Sequence, residues 1–372
     1  MEGWGGVDGM KWIVAWVLGM MALVDAEELP VWFGTGADGI YFAKLNVSSG
    51  KLTPPRRAVE VKGPSFLVLK PEGGVLYAVA REKEKSRVLS YRITEEFGLD
   101  LTSEQDSGGL GPCHVDITED GKTVLVANYR SGSASSYPVA ADGTLGEMAS
   151  VHQHEGSSVH ERRQENPHAH GFFAGPNSKG YVPDLGIDQV VIYDIEAESG
   201  KTSKVSGWKM PPGTGPRHLK FGKDGKQVYV LGEMNLTVVV GDLDKEGIPE
   251  QVQVIDVLPE GGDISSMTCS EIRVHPNGRF VYAAVRDSRG EGRERLTVFE
   301  VVKDGKLERI QSVPAQCSIP RNFAVDPSGK WLLVTGQKSN KVLVFPVKED
   351  GRLGSAVQQV EVPQPMCVIY GS

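Results

Sequence analysis

The chain has 372 residues, with 48 acidic against 40 basic side chains and a formal net charge of −8. The basic residues are scattered among the acidic ones, which leaves no basic face of the kind that holds nucleic acid. With 45 Gly, 22 Pro and no long stretch of helical apolar period, the composition speaks for many short strands and against an α/β fold, and 4 cysteines are too few for a disulfide scaffold.

The first segment stands apart from the rest. Lys11 precedes an apolar run over residues 12–24, and Val24-Asp25-Ala26 offers small residues for cleavage. The run is shorter than the roughly twenty apolar residues a membrane span needs, and no other segment comes near that length. Residues 1–26 are therefore expected to form an export signal, and residues 27–372 one domain. The mature chain is expected to be periplasmic or secreted, with no stable membrane span after cleavage. An uncleaved anchor is the alternative reading of the segment, and a chain without a working signal would be cytoplasmic.

From there a single unit recurs: a turn ending in Pro, an apolar strand start, a tight Pro/Asp/Asn/Gly turn, then a Val/Tyr/Leu strand. Its copies begin at Gly63-Pro64, Gly111-Pro112, Asn166-Pro167, Gly215-Pro216, Ser270-Glu271 and Ile319-Pro320, and turn back near Gly74, Gly121, Gly180, Gly225, Gly278 and Gly329. A period of about fifty residues is that of propeller blades. The chain ends carry complementary halves of one more copy. Residues 364–370 read as a first strand without a partner, while 31–35 and 39–45 read as a second and third strand without a first. Joined, they complete a ring and remove the exposed sheet edges of an open array. The predicted fold is an all-β, seven-bladed β-propeller closed by strands from both termini.

In such a ring the first strand of each blade lines the channel and the second runs antiparallel to it. First-strand starts and second-strand ends therefore emerge together at one mouth. The starts are Ser65, Cys113, His114, His168, His170, Arg217, His218 and Arg321, and the ends are Arg81, Asn128, Tyr129, Asp184, Glu233, Arg286 and Gln337. Arginines around a carboxylate and several imidazoles suit an anionic small molecule, because guanidinium forks match carboxylate and phosphate oxygens. The structural alternative is a polar network that only holds the blades in register. The His-rich stretch from His152 to His170 matches no metal motif. It reads instead as a connecting loop over residues 156–166 that covers the mouth, with His168-Ala169-His170 on a strand. No metal or other cofactor is implied. Cys113 and Cys367 fall in innermost strands, whereas Cys269 and Cys317 precede such strands and could pair.

Gly156-Ser157-Ser158-Val159, Arg163-Gln164, Pro167-His168-Ala169-His170, Pro183-Asp184-Leu185-Gly186-Ile187-Asp188 and Gly215-Pro216-Arg217-His218 resemble, in this order, the lactonase family of seven-bladed propellers. That family includes propeller-type 6-phosphogluconolactonases and the fungal carboxy-cis,cis-muconate cyclases. The resemblance implies chemistry on a small lactone carrying an anionic group. It implies His168 or His170, Arg217, Glu233 and Arg286 as the residues of the reaction, the first three catalytic; His218, Asp184, Arg286 and Arg321, at the same channel mouth, are expected to bind substrate. Gly232 and Val285 stand where relatives commonly carry Asn, so substrate identity does not simply transfer. Hydrolysis needs a base for water and a positive group at the carbonyl oxygen. Arg217 is expected to stabilise that oxygen, Arg286 or Arg321 to grip the anionic group, and Glu233 to orient a histidine base. The other readings are a cyclase-type lactonising enzyme and a non-catalytic extracytoplasmic binding propeller.

Overall fold

The computed structural model describes Met1 and residues 28–371, so the expected export segment lies outside the described residues apart from Met1. Seven antiparallel sheets follow one another round a ring. Six have four strands that run outward in chain order, such as Pro64–Leu69, Val75–Glu82, Lys85–Ile93 and Leu99–Asp106 in blade 1. In the seventh, the C-terminal strand Pro365–Tyr370 is innermost and pairs with Glu28–Thr35, with Phe33 opposite Val368. Gly39–Asn46 comes next, with the short strands Lys51–Leu52 and Arg56–Glu60 at its edge. The ring thus closes as the repeat predicts, with the register fixed by strands from opposite chain ends.

Why the channel can be polar follows from where the apolar residues lie. Second strands such as Thr123–Asn128 and Phe280–Asp287 are buried along their whole length, with neighbouring sheets packed on both faces. The apolar clusters accordingly sit between blades: Tyr229, Leu231 and Val238 of blade 4 pack with Ile272, Val281 and Phe299 of blade 5. The repeat also supplies a polar stitch. Tyr77, Tyr181, Tyr229 and Tyr282 each donate a hydrogen bond of 2.7–3.0 Å to a glycine carbonyl in the next blade, at Gly143, Gly247, Gly305 and Gly351. Each of these glycines has positive φ in an acidic-residue–Gly turn, where a side chain would be strained.

Three expectations change. The first strand of blade 3 is only Phe173–Ala174, and His168-Ala169-His170 is irregular chain tied to the sheet by one bridge, Ala169 to Asp184. Its backbone is held partly by a side chain instead of a ladder, since His168 N–H donates to Asp184 Oδ1 at 2.6 Å. Blade 5 begins at Met267, three residues before the Ser270 expected. Cys269 and Cys317 do not pair: all four cysteines are free thiols.

A β-bulge recurs at one repeat position in six blades. The ladder skips a residue between Pro64 and Phe66, Pro112 and His114, Pro216 and His218, Cys269 and Glu271, Pro320 and Asn322, and Pro365 and Cys367. The skipped residues are Ser65, Cys113, Arg217, Ser270, Arg321 and Met366. A bulge leaves one residue unpaired and re-aims it, and four of the six, Ser65, Cys113, Arg321 and Met366, line the channel mouth, while Arg217 and Ser270 are buried beneath it. In blade 3 His170, just after the Ala169 bridge, holds that place.

Candidate active site

The mouth opens into a cavity of about 620 Å³ lined by bulge residues Ser65, Cys113, Arg321 and Met366, by His170, and by residues from the ends of second strands. At one side, on blades 3 to 5, stands Glu233, at the end of Gln227–Gly232 and nearly fully buried. It sits among three guanidiniums: Arg163 Nη2 at 2.7 Å, Arg217 Nε at 3.0 Å and Arg286 Nη2 at 3.1 Å. Burial alone would raise its pKa, but Arg286, Arg217, His170 and Arg163 outweigh it and hold the carboxyl well below its ordinary value. Glu233 is therefore ionised and saturated with donors, which makes it a poor proton acceptor.

His170 faces the cavity with Nε2 3.8 Å from Glu233 Oε2, beyond hydrogen-bond reach. Burial, then Arg217, keeps its pKa well below that of a free imidazole, so the ring is neutral at pH 7 and has a free lone pair. Cys113 lies beside it, Sγ 4.0 Å from Nδ1. Burial pushes that thiol up to about 12, which leaves no thiolate to act as a nucleophile.

Arg321 also lines the cavity, and among the described residues its guanidinium makes no hydrogen bond or ion pair. Burial, with Arg217 and Arg286 nearby, pushes its pKa down to about 9, so the group is charged at neutral pH yet uncompensated. Arg286 is bound to Glu233 and to Cys269 O at 2.7 Å, while its buried Nε has no partner. Four guanidiniums stand here against one carboxylate.

The other predicted residues are placed differently. Arg217 does not reach the cavity: it is buried behind Glu233, bonded also to the Ser270 carbonyl, with Nη1 3.2 Å from both ring nitrogens of His218. His218 is likewise below the cavity, where its Nδ1 lies 3.1 Å from Glu271 Oε1. Glu271 in turn accepts from Asn322, whose Oδ1 accepts the N–H of Val368 at 3.1 Å in the closing strand. Asp184 was expected to meet substrate, but its side chain is fully buried between His154 Nδ1 at 2.7 Å and the backbone N–H groups of His168 and Gly186. It positions the His168–His170 segment. His168 points away from the cavity into a neighbouring surface groove, stacks on Tyr129 with centroids 4.6 Å apart, and donates Nδ1–H to Tyr129 O. Of the two candidate bases, only His170 faces the cavity.

Arg163 was quoted in the resemblance but not assigned a role, because it lies on the connecting loop outside the repeat. Glu271 was also missed, although it follows the bulge as His114 and His218 do in their own copies. That shared repeat position was a signal available in the sequence.

Comparisons with known proteins agree with this architecture. The sequence model of the family described as "Lactonase, 7-bladed beta-propeller" matches residues 30–370. The chain is 31% identical to a 6-phosphogluconolactonase of Bacillus subtilis over 340 residues, covering 90% of this chain and 95% of that protein. It is 29% identical to a 6-phosphogluconolactonase of Formosa agariphila over 333 residues, 87% of this chain and 93% of the other. A solved periplasmic gluconolactonase of Pseudomonas aeruginosa superposes with a TM-score of 0.85 at 27% identity, over 93% of this chain and 99% of that one.

Proposed function

The chain belongs to the family of seven-bladed β-propeller lactonases, and from that premise we propose that its cavity hydrolyses a sugar lactone carrying an anionic group, as a 6-phosphogluconolactonase does. The observation that carries this reading is Arg321, a charged guanidinium facing the cavity with no partner among the described residues. A desolvated cation of this kind is costly unless a ligand completes it.

In the mechanism, His170 Nε2 takes a proton from water as the water oxygen attacks the lactone carbonyl carbon. The carbonyl oxygen gains negative charge, and Arg321, with the unsatisfied N–H of Arg286, faces that charge. The ring C–O bond then breaks, and the proton held by His170 passes to the leaving alkoxide. The product is an open hydroxy acid, whose carboxyl proton goes to solvent. Glu233 holds Arg163 and Arg286 in place, and Arg217 with His218 supports it from below. The oxyanion role expected for Arg217 thus passes to Arg321, because Arg217 is covered and Arg321 lines the cavity.

Removing one oxyanion donor costs about 10²–10³ in kcat. Arg321→Gln is accordingly expected to lower kcat for lactone opening by about 10²-fold, while Glu233 and its arginines stay folded. Unchanged kinetics would remove Arg321 from the reaction.

Export is part of the same proposal, supported by Lys11 and the apolar run before residue 25, and by the likeness to a periplasmic gluconolactonase. N-terminal sequencing of the mature protein is expected to begin near Glu27. Retention of residues 1–26 in full would contradict it.

A further inference from the structure

The cavity has a second cationic side that the hydrolytic reading does not use. Across the ring from Glu233, on blades 1 and 2 and the chain leading into them, it is lined by Lys62, Arg81, Lys83 and Arg130, with Glu82 as the one carboxylate among them. None of the four cations has an ion pair or side-chain hydrogen bond among the described residues. Close by, Arg87 pairs with Glu104 at 3.3 Å and Lys70 with Glu72 at 2.7 Å, so two neighbouring cations are already neutralised. In a chain of net charge −8, this wall of one cavity gathers four cations against a single carboxylate, and that local excess of positive charge is what the site offers a ligand.

The backbone is committed to this arrangement. Lys83 sits in the tight turn between Glu82 and Lys85 with φ of 51°, in the left-handed region that favours Gly or Asn. A lysine there gives up turn stability and places its ammonium at the rim. Gly63, at φ of 58°, lies so close to Arg81 that a Cβ on it would meet the Arg81 carbonyl at 2.6 Å. That close approach brings the segment bearing Lys62 against the strand end bearing Arg81.

Resting on the lactonase reading, we infer that this wall is a specificity subsite for a phosphoryl group on the substrate, distal to the lactone carbonyl held at the His170 and Arg321 side. A dianion with three terminal oxygens suits several separate cations better than a single carboxylate does. The size of the cavity agrees, since about 620 Å³ lies within the range of sites that enclose whole small ligands. The subsite selects for the phosphoryl group and takes no part in opening the ring.

The test is calorimetric binding of 6-phosphogluconate and of gluconate to the wild-type protein and to the double variant Arg81→Gln/Lys83→Gln, alongside turnover of the two corresponding lactones. The wild type is expected to bind 6-phosphogluconate at least about tenfold more tightly than gluconate, and the double variant to lose most of that difference, since the phosphoryl oxygens then lack two charge-assisted donors. Gluconate binding and turnover of the unphosphorylated lactone should stay within about twofold of the wild type, because the variant leaves His170, Glu233 and Arg321 in place. Equal affinities for the two ligands in the wild type, or a phosphoryl preference that survives in the variant, would overturn the subsite. Failure of the lactonase reading looks different: neither lactone would be turned over, and the binding comparison would still decide the subsite.

Discussion

At the scale of single residues, the site is organised by one carboxylate that cannot do what a carboxylate in a hydrolase is usually asked to do. Glu233 is ionised because Arg163, Arg217 and Arg286 surround it, and for the same reason it is a weak base. Its depressed pKa also links it to stability. A group whose folded pKa lies below its unfolded value, here near 4.5, stabilises the fold fully above that pH and loses the contribution as pH falls through the folded value. His170 works in the same direction, since its pKa is lowered on folding and acid must protonate it in the unfolded chain first. Replacing Glu233 with Gln strands three guanidiniums. Removing one partner of a buried ion pair costs about 3–5 kcal/mol. The Glu233→Gln variant should therefore show a lower urea midpoint at pH 7, with the gap to wild type closing as pH drops below 4.5. Midpoints measured from pH 7 to pH 3 check this, and a gap independent of pH would mean that Glu233 is not held ionised by its arginines.

At the scale of elements, legibility followed periodicity. The blade starts at Pro64, Pro112, Pro216 and Pro320 were readable because a Pro and an apolar strand recur at a fixed spacing. The bulge that follows them was not, because nothing in residue type marks a register shift between Pro216 and His218. Yet this shift decides the site. Arg217 and Arg321 occupy the same repeat position, and their neighbours separate them: Glu233 pairs with Arg217 and covers it, whereas the equivalent residue of blade 6 is the neutral Gln337, and Arg321 makes no ion pair among the described residues. Blade 3 departs furthest from the repeat. There Asp184, His154 and the backbone of His168 and Gly186 replace a ladder, so a residue expected to bind substrate instead positions the segment that carries His170. Arg163 arrives from the loop over residues 156–166, where no repeat constrains the sequence, and its role could be seen only once the loop was placed.

At the scale of the whole molecule, closure and chemistry are joined. Apolar packing between blades leaves the axis to polar groups, and the chain from Arg217 through His218, Glu271 and Asn322 ends on Val368 of the closing strand. The strand that completes the ring therefore also braces the floor of the cavity. The central claim is that this cavity opens a lactone with His170 as base. It is tested most directly by following ring opening of 6-phosphogluconolactone and of gluconolactone against their spontaneous rates, with the wild-type protein and with His170→Asn. General base catalysis contributes about 10²–10⁴-fold. The wild type is expected to accelerate opening of at least one of the two lactones, and His170→Asn to lose about that factor while its urea midpoint changes little. A wild type that opens neither lactone faster than water, or a variant that keeps the full rate, would contradict the account.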